Sequence, residues 1–314
     1  MVDVVTTDET ILEMPLECRS CILGQAMRTA REAGLPESEQ SEIVQQTAKW
    51  MSYPYPRSRS TLHLGRLIAD QVVARAKLQR DFDIYHEPKA LSNRLAQTHT
   101  ERLRRSILES DDPLAMAIRV AAAGNVIDFG AKDHSHMDIE SELRAVTSQP
   151  FERFDIEPFR QRLASAASLL YICDNAGEIV FDGLLMEAMR RLRPELEIHA
   201  AFRDAPILND ATVQDALAVG IDGWAEVFSS GSRLAGSKLD ECSVDFRLKF
   251  SSSDLVVSKG QGNLSSLIDD ADERVFFVFR TKCPPTARRS GTTLGNLQMI
   301  QGRHFPPLPS PSSP

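Results

Sequence analysis

The sequence predicts an α/β protein with an N-terminal all-helical domain and a C-terminal domain built on a mostly parallel sheet. Two observations carry this prediction. The first 150 residues show helical spacing of apolar residues, and after Ser148-Gln149-Pro150 apolar runs of strand length alternate with helical stretches. Such alternation is typical of a parallel sheet covered by helices on both faces. The length of 314 residues also favours two domains, at about 150 residues each.

Helical patterns dominate the first half. In residues 66–79 apolar side chains recur at spacings of one, three and four, which forms one stripe along a helix. Residues 114–123 are similar and precede Gly124, which suits a helix C-cap. Residues 37–51 follow Pro36 and stop before the YPYP run, as expected of a helix bounded by prolines. We therefore expect a helical domain over residues 1–150.

Apolar runs of strand length define the second half. The predicted strands are residues 169–173, 198–202, 225–228, 255–257, 275–279 and 297–300, and the predicted helices are residues 179–192, 211–219 and 263–268. The last ten residues, FPPLPSPSSP, hold five prolines and three serines and cannot bury apolar surface. We expect a sheet domain over residues 151–304 and a disordered tail over residues 305–314.

Composition argues against several classes of function. Lys plus Arg number 36 and Asp plus Glu number 44, so the net charge of −8 does not favour nucleic-acid binding. No apolar run approaches the roughly 18 residues of a membrane helix, and the N-terminus does not resemble a secretory signal. Five cysteines, an odd and low number, indicate no disulfide framework. These features predict a cytoplasmic protein without membrane or nucleic-acid partners.

Polar residues follow the predicted strands, where ligands of open parallel sheets bind. Two carboxylates and an amide oxygen form a hard oxygen set that suits Mg²⁺ or Mn²⁺. A glycine pair at a helix start, beside a lysine, suits an anion such as phosphate. Because carboxylates repel phosphate, a divalent cation between them is needed, and the pattern predicts metal-assisted phosphoryl chemistry. The residues at these strand ends are Asp174, Asn175 and Glu178, then Arg203 and Asp210, then KGQGN at 259–263, then Lys282.

Each of these residues also has a purely structural interpretation. Asn175 and Glu178 have the spacing of a helix capping box, and Asp210 could cap the next helix. The glycines of KGQGN could serve only a strand-to-helix turn. Two further clusters are interpreted structurally: Cys18 and Cys21 as residues at a helix start, and DHSHMD at 133–138 as a solvated loop.

Other motif classes are excluded by spacing. Gly177 and Gly183 do not form a dinucleotide-binding fingerprint after the first strand of the sheet. Neither a GxxxxGK[ST] phosphate loop nor a GxSxG nucleophile elbow occurs. A haloacid-dehalogenase-type phosphatase would have a second aspartate two residues after Asp174, where Ala176 stands.

Six stretches in chain order carry a resemblance that spans nearly the whole sequence. They are ECRSCILGQAMRTAREAG (17–34), AAAGNVIDFG (121–130), YICDNAGEIVFDGLLMEAM (171–189), FRDAPILNDATVQDALAVG (202–220), DLVVSKGQGNLSSL (254–267) and FRTKCPPTA (279–287). In them the sequence resembles the damage-control phosphatase family, formerly a domain of unknown function, and especially its stand-alone microbial-type branch with an N-terminal CxxC.

The resemblance implies an α-helical domain joined to a Rossmann-like α/β/α domain. It also implies a metal-dependent phosphatase of small phosphorylated metabolites, including sugar phosphates and damaged cofactor phosphates. By that similarity one ion, Mn²⁺, Ni²⁺, Co²⁺ or Mg²⁺, is held by Asp174, Asn175 and Asp210. The residues implied around the substrate phosphate are Lys259, Gly260, Gln261, Gly262, Asn263 and Lys282, with Asn125 and Asp128 facing the same cleft.

Our hypothesis is that Asp174 and Lys282 are catalytic and that Arg203 contributes to phosphate binding. The sequence does not choose between water and the Asp174 carboxylate as the attacking group. Two alternatives remain open at this stage. One is an S-adenosylmethionine-dependent methyltransferase on the same layout, and the other is a non-catalytic protein that binds phosphometabolites.

Overall fold

The computed structural model describes residues 14–52, 60–124 and 149–305. The chain divides into two compact units, Met1–Ile84 and Tyr85–Pro314, whereas the sequence predicts a domain boundary at residue 150. The predicted tail lies outside the described residues from residue 306 onward. Within the described ranges, no helix combines the length and the apolar character needed to cross a lipid bilayer.

Three helices form the described part of the first unit: α1 (Leu16–Glu32), α2 (Glu37–Ser52) and α3 (Thr61–Arg75). Their buried apolar side chains meet in one cluster that includes Ile22, Ile43 and Ile68. Helix α2 agrees with the helix predicted over residues 37–51. Helix α3 begins before the predicted residue 66 because Ser60 caps it, its N–H donating to Nδ1 of His63 at 2.9 Å.

The second unit contains a seven-stranded sheet. Its strands are β1 (Phe151–Phe154), β2 (Ser168–Ile172), β3 (Glu197–Phe202), β4 (Glu226–Ser229), β5 (Leu255–Lys259), β6 (Val275–Arg280) and β7 (Leu297–Gln301). The spatial order is β1-β7-β6-β5-β2-β3-β4, and every neighbouring pair is parallel except β6 with β7. The prediction of an α/β fold with a mostly parallel sheet is confirmed, although the sequence does not predict β1.

The helices described in the second unit lie on both faces of this sheet. They are α4 (His86–Gln97), α5 (Thr100–Leu108), α6 (Pro113–Gly124), α7 (Ile156–Ser165), α8 (Glu178–Leu192), α9 (Val213–Ala218), α10 (Val244–Ser252), α11 (Gly260–Leu267) and α12 (Pro284–Ser290). Alternate residues of β2 enter different apolar clusters. Tyr171 joins the cluster of α6 and α8, and Ile172 joins that of α10 and α11. Two helical layers therefore cover a buried central sheet.

The strand order reverses beside β2. From β2 the chain proceeds outward to β3 and β4, and it then returns to place β5 on the other side of β2. The carboxyl ends of β2 and β5 thus flank the kind of crevice in which open α/β sheets bind ligands. The predicted site residues follow these strand ends.

Candidate active site

The segments that follow β2 and β3 pair with each other, and this brings the three predicted metal ligands together. The Ala211 N–H donates to the Asp174 carbonyl at 2.8 Å. Next to this bond, Asn175 and Asp210 pair as an isolated antiparallel bridge. Backbone pairing therefore gathers Asp174, Asn175 and Asp210 at one edge of the sheet, as the strand-end pattern predicts.

Arg203 lies between the two carboxylates and is 1% exposed. Its Nε donates to Oδ2 of Asp210 at 2.7 Å, and its Nη2 donates to Oδ1 of Asp174 at 3.3 Å. Its Nη1 donates to Ser237 and Asn263, both at 2.9 Å. Burial lowers the pKa of Arg203, but the two carboxylates raise it above its usual value. Arg203 thus holds the carboxylates of Asp174 and Asp210 in place, and a phosphate contact by this residue stays a prediction.

The surroundings of the buried Asp174 and Asp210 carboxylates raise their pKa values. Burial raises the pKa of Asp174 to about 8, and the nearby carboxylates of Asp210 and Glu178 contribute to this rise. Arg203 and Lys282 offset it only in part. Burial also raises the pKa of Asp210 above its usual value, against the lowering by Arg203. A divalent cation at this point would relieve the repulsion and hold both groups ionised.

The side-chain amide nitrogen of Asn175 is held by two carboxylates. Its Nδ2 donates to Oδ2 of Asp174 at 2.8 Å and to Oε2 of Glu178 at 3.2 Å. Because both carboxylates accept from the amide nitrogen, the carbonyl oxygen of Asn175 is the atom that could act as a metal ligand. No group of three or more His, Cys, Asp and Glu placed to share a metal occurs in the described ranges, so the donor set rests on two carboxylates and this amide. These oxygen donors fit a hard divalent ion.

The first turn of α11 lies directly against the Asp174 carboxylate. Gly260 has φ +78°, and a Cβ at this position would lie 1.9 Å from Oδ2 of Asp174. A Cβ at Gly262 would lie 2.1 Å from the Ala235 carbonyl oxygen. Neither position therefore has room for a side chain. Helix α11 starts at Gly260 rather than at the predicted residue 263, so its unbonded N–H groups begin beside the candidate ligands.

Gln261 connects α11 to the segment after β6. Its Oε1 accepts a hydrogen bond from the Lys282 N–H at 3.0 Å, and its Nε2 lies 3.1 Å from Sγ of Cys283. Lys282 is exposed, yet close enough to lower the pKa of Asp174. The structure thus brings Lys282 to the same edge of the sheet as α11 and Asp174.

Asn263 links the ends of β2 and β5. Its Nδ2 donates to the carbonyls of Cys173 at 3.0 Å and Lys259 at 2.8 Å, and its Oδ1 accepts from Arg203 and Ser237. These four bonds occupy the whole amide. The Asn263 side chain is therefore used within the protein, and the placement of Asn263 near the substrate phosphate stays a prediction for its backbone N–H.

Lys259 lies beneath the site and is fully buried. Its Nζ donates to Glu178 at 2.7 Å, to the Ala121 carbonyl at 3.0 Å, and to Oδ1 of Asp182, which also accepts from Tyr171 at 2.7 Å. Burial raises the pKa of Asp182 to about 6, although Lys259 lowers it. The three hydrogen bonds of the Lys259 ammonium all go to protein acceptors. Lys259 therefore holds the Glu178 carboxylate, and this geometry does not support the predicted contact between Lys259 and phosphate.

The capping interpretations of Glu178 and Asp210 are wrong. The N-cap of α8 is Gly177, which has φ +80° and makes no side-chain capping bond. Helix α9 is capped by Thr212 in a capping box with Asp215. Glu178 and Asp210 are therefore available to the buried polar cluster.

Some predicted residues lie outside the described ranges, and others belong to the first unit. Asn125, Asp128 and the DHSHMD stretch fall among the residues that are not described. Cys18 and Cys21 form no disulfide and lie near the start of α1, in accordance with the helix-start interpretation.

Several residues that hold the site together could not be predicted from the sequence. Ser237 supports Arg203 and Asn263, while Lys89 and Asn93 of α4 contact the two ligand segments. Each acts across a long stretch of chain, and no spacing motif marks any of them.

Comparisons with known proteins agree with this architecture. The model of the family described as "Damage-control phosphatase ARMT1-like domain" matches residues 14–297. An uncharacterized protein, MJ0202 of Methanocaldococcus jannaschii, is 32% identical over 91% of this chain and 94% of its own length. Damage-control phosphatase PH1575 of Pyrococcus horikoshii is 29% identical over 93% of this chain and 99% of its own. A crystal structure of this DUF89 family protein has a TM-score of 0.83 and 28% identity, and the match covers 93% of this chain and 99% of that one.

Proposed function

Because the chain belongs to the family described as the damage-control phosphatase ARMT1-like domain, we propose that it is a metal-dependent phosphatase of small phosphorylated metabolites. Its substrates under this proposal are phosphate monoesters, such as sugar phosphates or damaged cofactor phosphates. The observation that carries the proposal is the meeting of Asp174, Asn175 and Asp210 with the first turn of α11. Relatives that are named damage-control phosphatases support the same class of reaction.

The proposed ion is Mn²⁺, Ni²⁺, Co²⁺ or Mg²⁺. Asp174, Asn175 and Asp210 would hold it through carboxylate and amide oxygens, and Arg203 keeps both carboxylates in position. When bound, such an ion offsets phosphate charge and polarises the ester. Its positive charge would also keep Asp174 ionised, although burial and the nearby carboxylates of Asp210 and Glu178 raise the pKa of this group to about 8.

The phosphoryl oxygens would lie beside the ligand carboxylates, at the N-terminus of α11. Backbone N–H groups at a helix N-terminus bind such oxygens, and the absence of a side chain at Gly260 lets this helix begin next to Asp174. Lys282, at the same edge, would bind the charge that develops on these oxygens. Loss of one such contact typically costs about 3 kcal/mol, which is a hundredfold or more in rate.

The test is phosphate release from a panel of sugar and cofactor phosphates, measured with each of the four divalent ions and with a chelator. We expect turnover that requires a divalent ion and that falls at least about a hundredfold in Asp174→Ala. Asp204→Ala is the matched control, because Asp204 is an exposed carboxylate on the segment that follows β3.

Four outcomes would contradict the proposal. Near-wild-type turnover of folded Asp174→Ala, or turnover unaffected by the chelator, would remove the assigned site. Phosphate-ester binding without turnover under any ion would indicate a non-catalytic binding protein. Metal-independent binding of S-adenosylmethionine, measured by calorimetry, would favour the methyltransferase alternative.

A further inference from the structure

Helix α4 carries two buried polar side chains that reach the ligand-bearing segments. Lys89 and Asn93 are four residues apart and so lie on one face of the helix. Lys89 is 1% exposed and Asn93 is 6% exposed. Buried polar groups persist where they are hydrogen-bonded, so the partners of these two side chains indicate what the helix face does.

Asn93 holds the segment that follows β2. Its Oδ1 accepts a hydrogen bond from the Gly177 N–H at 2.6 Å. Gly177 comes two residues after Asn175 and is the N-cap of α8, with φ +80°. Asn93 therefore pins the end of the Asp174–Asn175 segment at the point where the backbone turns into α8.

Lys89 holds the segment that follows β3. Its Nζ donates to Oδ2 of Asp215 at 2.6 Å and to the Asp210 carbonyl at 3.4 Å. The same oxygen of Asp215 accepts from the N–H and the hydroxyl of Thr212, at 2.8 and 2.7 Å. Lys89 thus fixes the backbone at Asp210 and the first turn of α9 together.

We propose that Lys89 and Asn93 are positioning residues of the metal site, through which α4 clamps both ligand segments and sets their affinity for the ion. This inference rests on the proposed function, because it takes Asp174, Asn175 and Asp210 as the ligands. The hydrogen bonds described above join these side chains to the backbone of Gly177 and Asp210 and to the Asp215 carboxylate, and the charge of Lys89 also acts on the Asp210 carboxylate. Both side chains thus hold the backbone that carries the ligands, and Mg²⁺ in particular requires near-ideal octahedral placement of its oxygens.

The test is calorimetric titration of metal-free protein with Mn²⁺ alone, with unfolding measured on the same samples. In Asn93→Leu the side chain keeps its size but loses the acceptor for Gly177. We expect Mn²⁺ to bind about tenfold more weakly in this variant, as is typical when a supporting contact of a metal site is lost. Asn93→Asp retains an acceptor oxygen, and we expect it to restore binding. Lys89→Met removes the contacts with Asp210 and Asp215, and we expect it to weaken Mn²⁺ binding by the same factor of about ten.

Ser92→Ala is the matched control on α4. Ser92 is 4% exposed, and its hydroxyl donates within the helix to the Pro88 carbonyl at 2.8 Å rather than to a ligand segment. We expect this variant to bind Mn²⁺ as the wild type does. An equal loss in Ser92→Ala would mean that α4 was loosened as a whole, and it would overturn the inference.

Wild-type Mn²⁺ affinity in folded Asn93→Leu would also overturn the inference, and this variant carries the test if Lys89→Met does not fold. Failure of the proposed function looks different. In that case the wild type binds no Mn²⁺, or Asp174→Ala binds it as the wild type does. Either result would remove the metal site itself and the inference with it.

Discussion

At the scale of single residues, Asp174 couples stability to pH in the metal-free protein. Its pKa rises from 3.8 to about 8 through burial and the adjacent Asp210 and Glu178 carboxylates. Below pH 3.8 Asp174 is protonated in both the folded and the unfolded chain, and its contribution to stability is fully present. As pH rises from there through the folded pKa, the unfolded state ionises more readily, so this contribution is lost.

We therefore expect Asp174→Asn, which is neutral at all pH values, to be more thermally stable than metal-free wild type, by a margin that grows from pH 5 to pH 8. Melting temperatures measured in the presence of a chelator check this. The control is Asp204→Asn, because Asp204 is exposed. The difference in melting temperature between this variant and wild type should not grow from pH 5 to pH 8. A margin for Asp174→Asn that stays constant or shrinks over this range would contradict the expected electrostatics.

Strand-end residues could be predicted from the sequence, whereas their supporting contacts could not. Asp174, Asn175 and Asp210 each follow an apolar run, and the carboxyl ends of parallel strands share one edge. Lys259 also follows a strand, but the sequence could not show that its ammonium turns beneath the sheet edge to Glu178. That bond joins residues far apart in the chain, and the direction of a side chain depends on tertiary packing.

At the scale of elements, the junction between β5 and α11 depends on having no side chain at Gly260. Gly260→Ala would place a Cβ 1.9 Å from the Asp174 carboxylate oxygen, with φ at +78°. The carboxylate must then move, and we expect Mn²⁺ binding to be lost and phosphate release to fall at least about a hundredfold. Calorimetric Mn²⁺ titration and the phosphate-release measurement check both effects.

Gly220→Ala separates backbone strain from the clash with Asp174. Gly220 also has φ +78°, but nothing lies within 4 Å of a Cβ at this position. The left-handed conformation should cost this variant about 1 to 2 kcal/mol of stability while Mn²⁺ binding stays normal. Equal loss of binding in both variants would assign the effect to strain, and intact binding in Gly260→Ala would show that the close approach is not needed.

Elements with a strong apolar pattern could be predicted, and short or partly exposed elements could not. The strands β2, β5 and β6 are buried on both faces and are nearly continuous apolar runs, so the sequence marks them clearly. Strand β1 has only four residues, FERF, with none fully buried. It forms because β7 provides a parallel partner at the edge of the sheet, which is a contact between distant segments.

At the scale of the whole molecule, the candidate site exists only in the folded chain. Its ligands follow β2 and β3, its helix N-terminus follows β5, and Lys282 follows β6. An ion bound there binds the folded state and not the unfolded one, so binding must add to the free energy of unfolding. The added amount depends only on the ratio of free ion to its dissociation constant.

We expect Mn²⁺ at a hundred times its dissociation constant to add about 2.7 kcal/mol to the free energy of unfolding and to raise Tm by about 5 to 10 °C. A chelator should reverse the shift, and sodium chloride at equal ionic strength should not produce it, because screening of surface charges is not site binding. Asp204→Ala should keep the shift and Asp174→Ala should lose it. A shift of equal size in Asp174→Ala would mean that Mn²⁺ stabilises the fold from a site other than the candidate site at the carboxyl ends of β2 and β3.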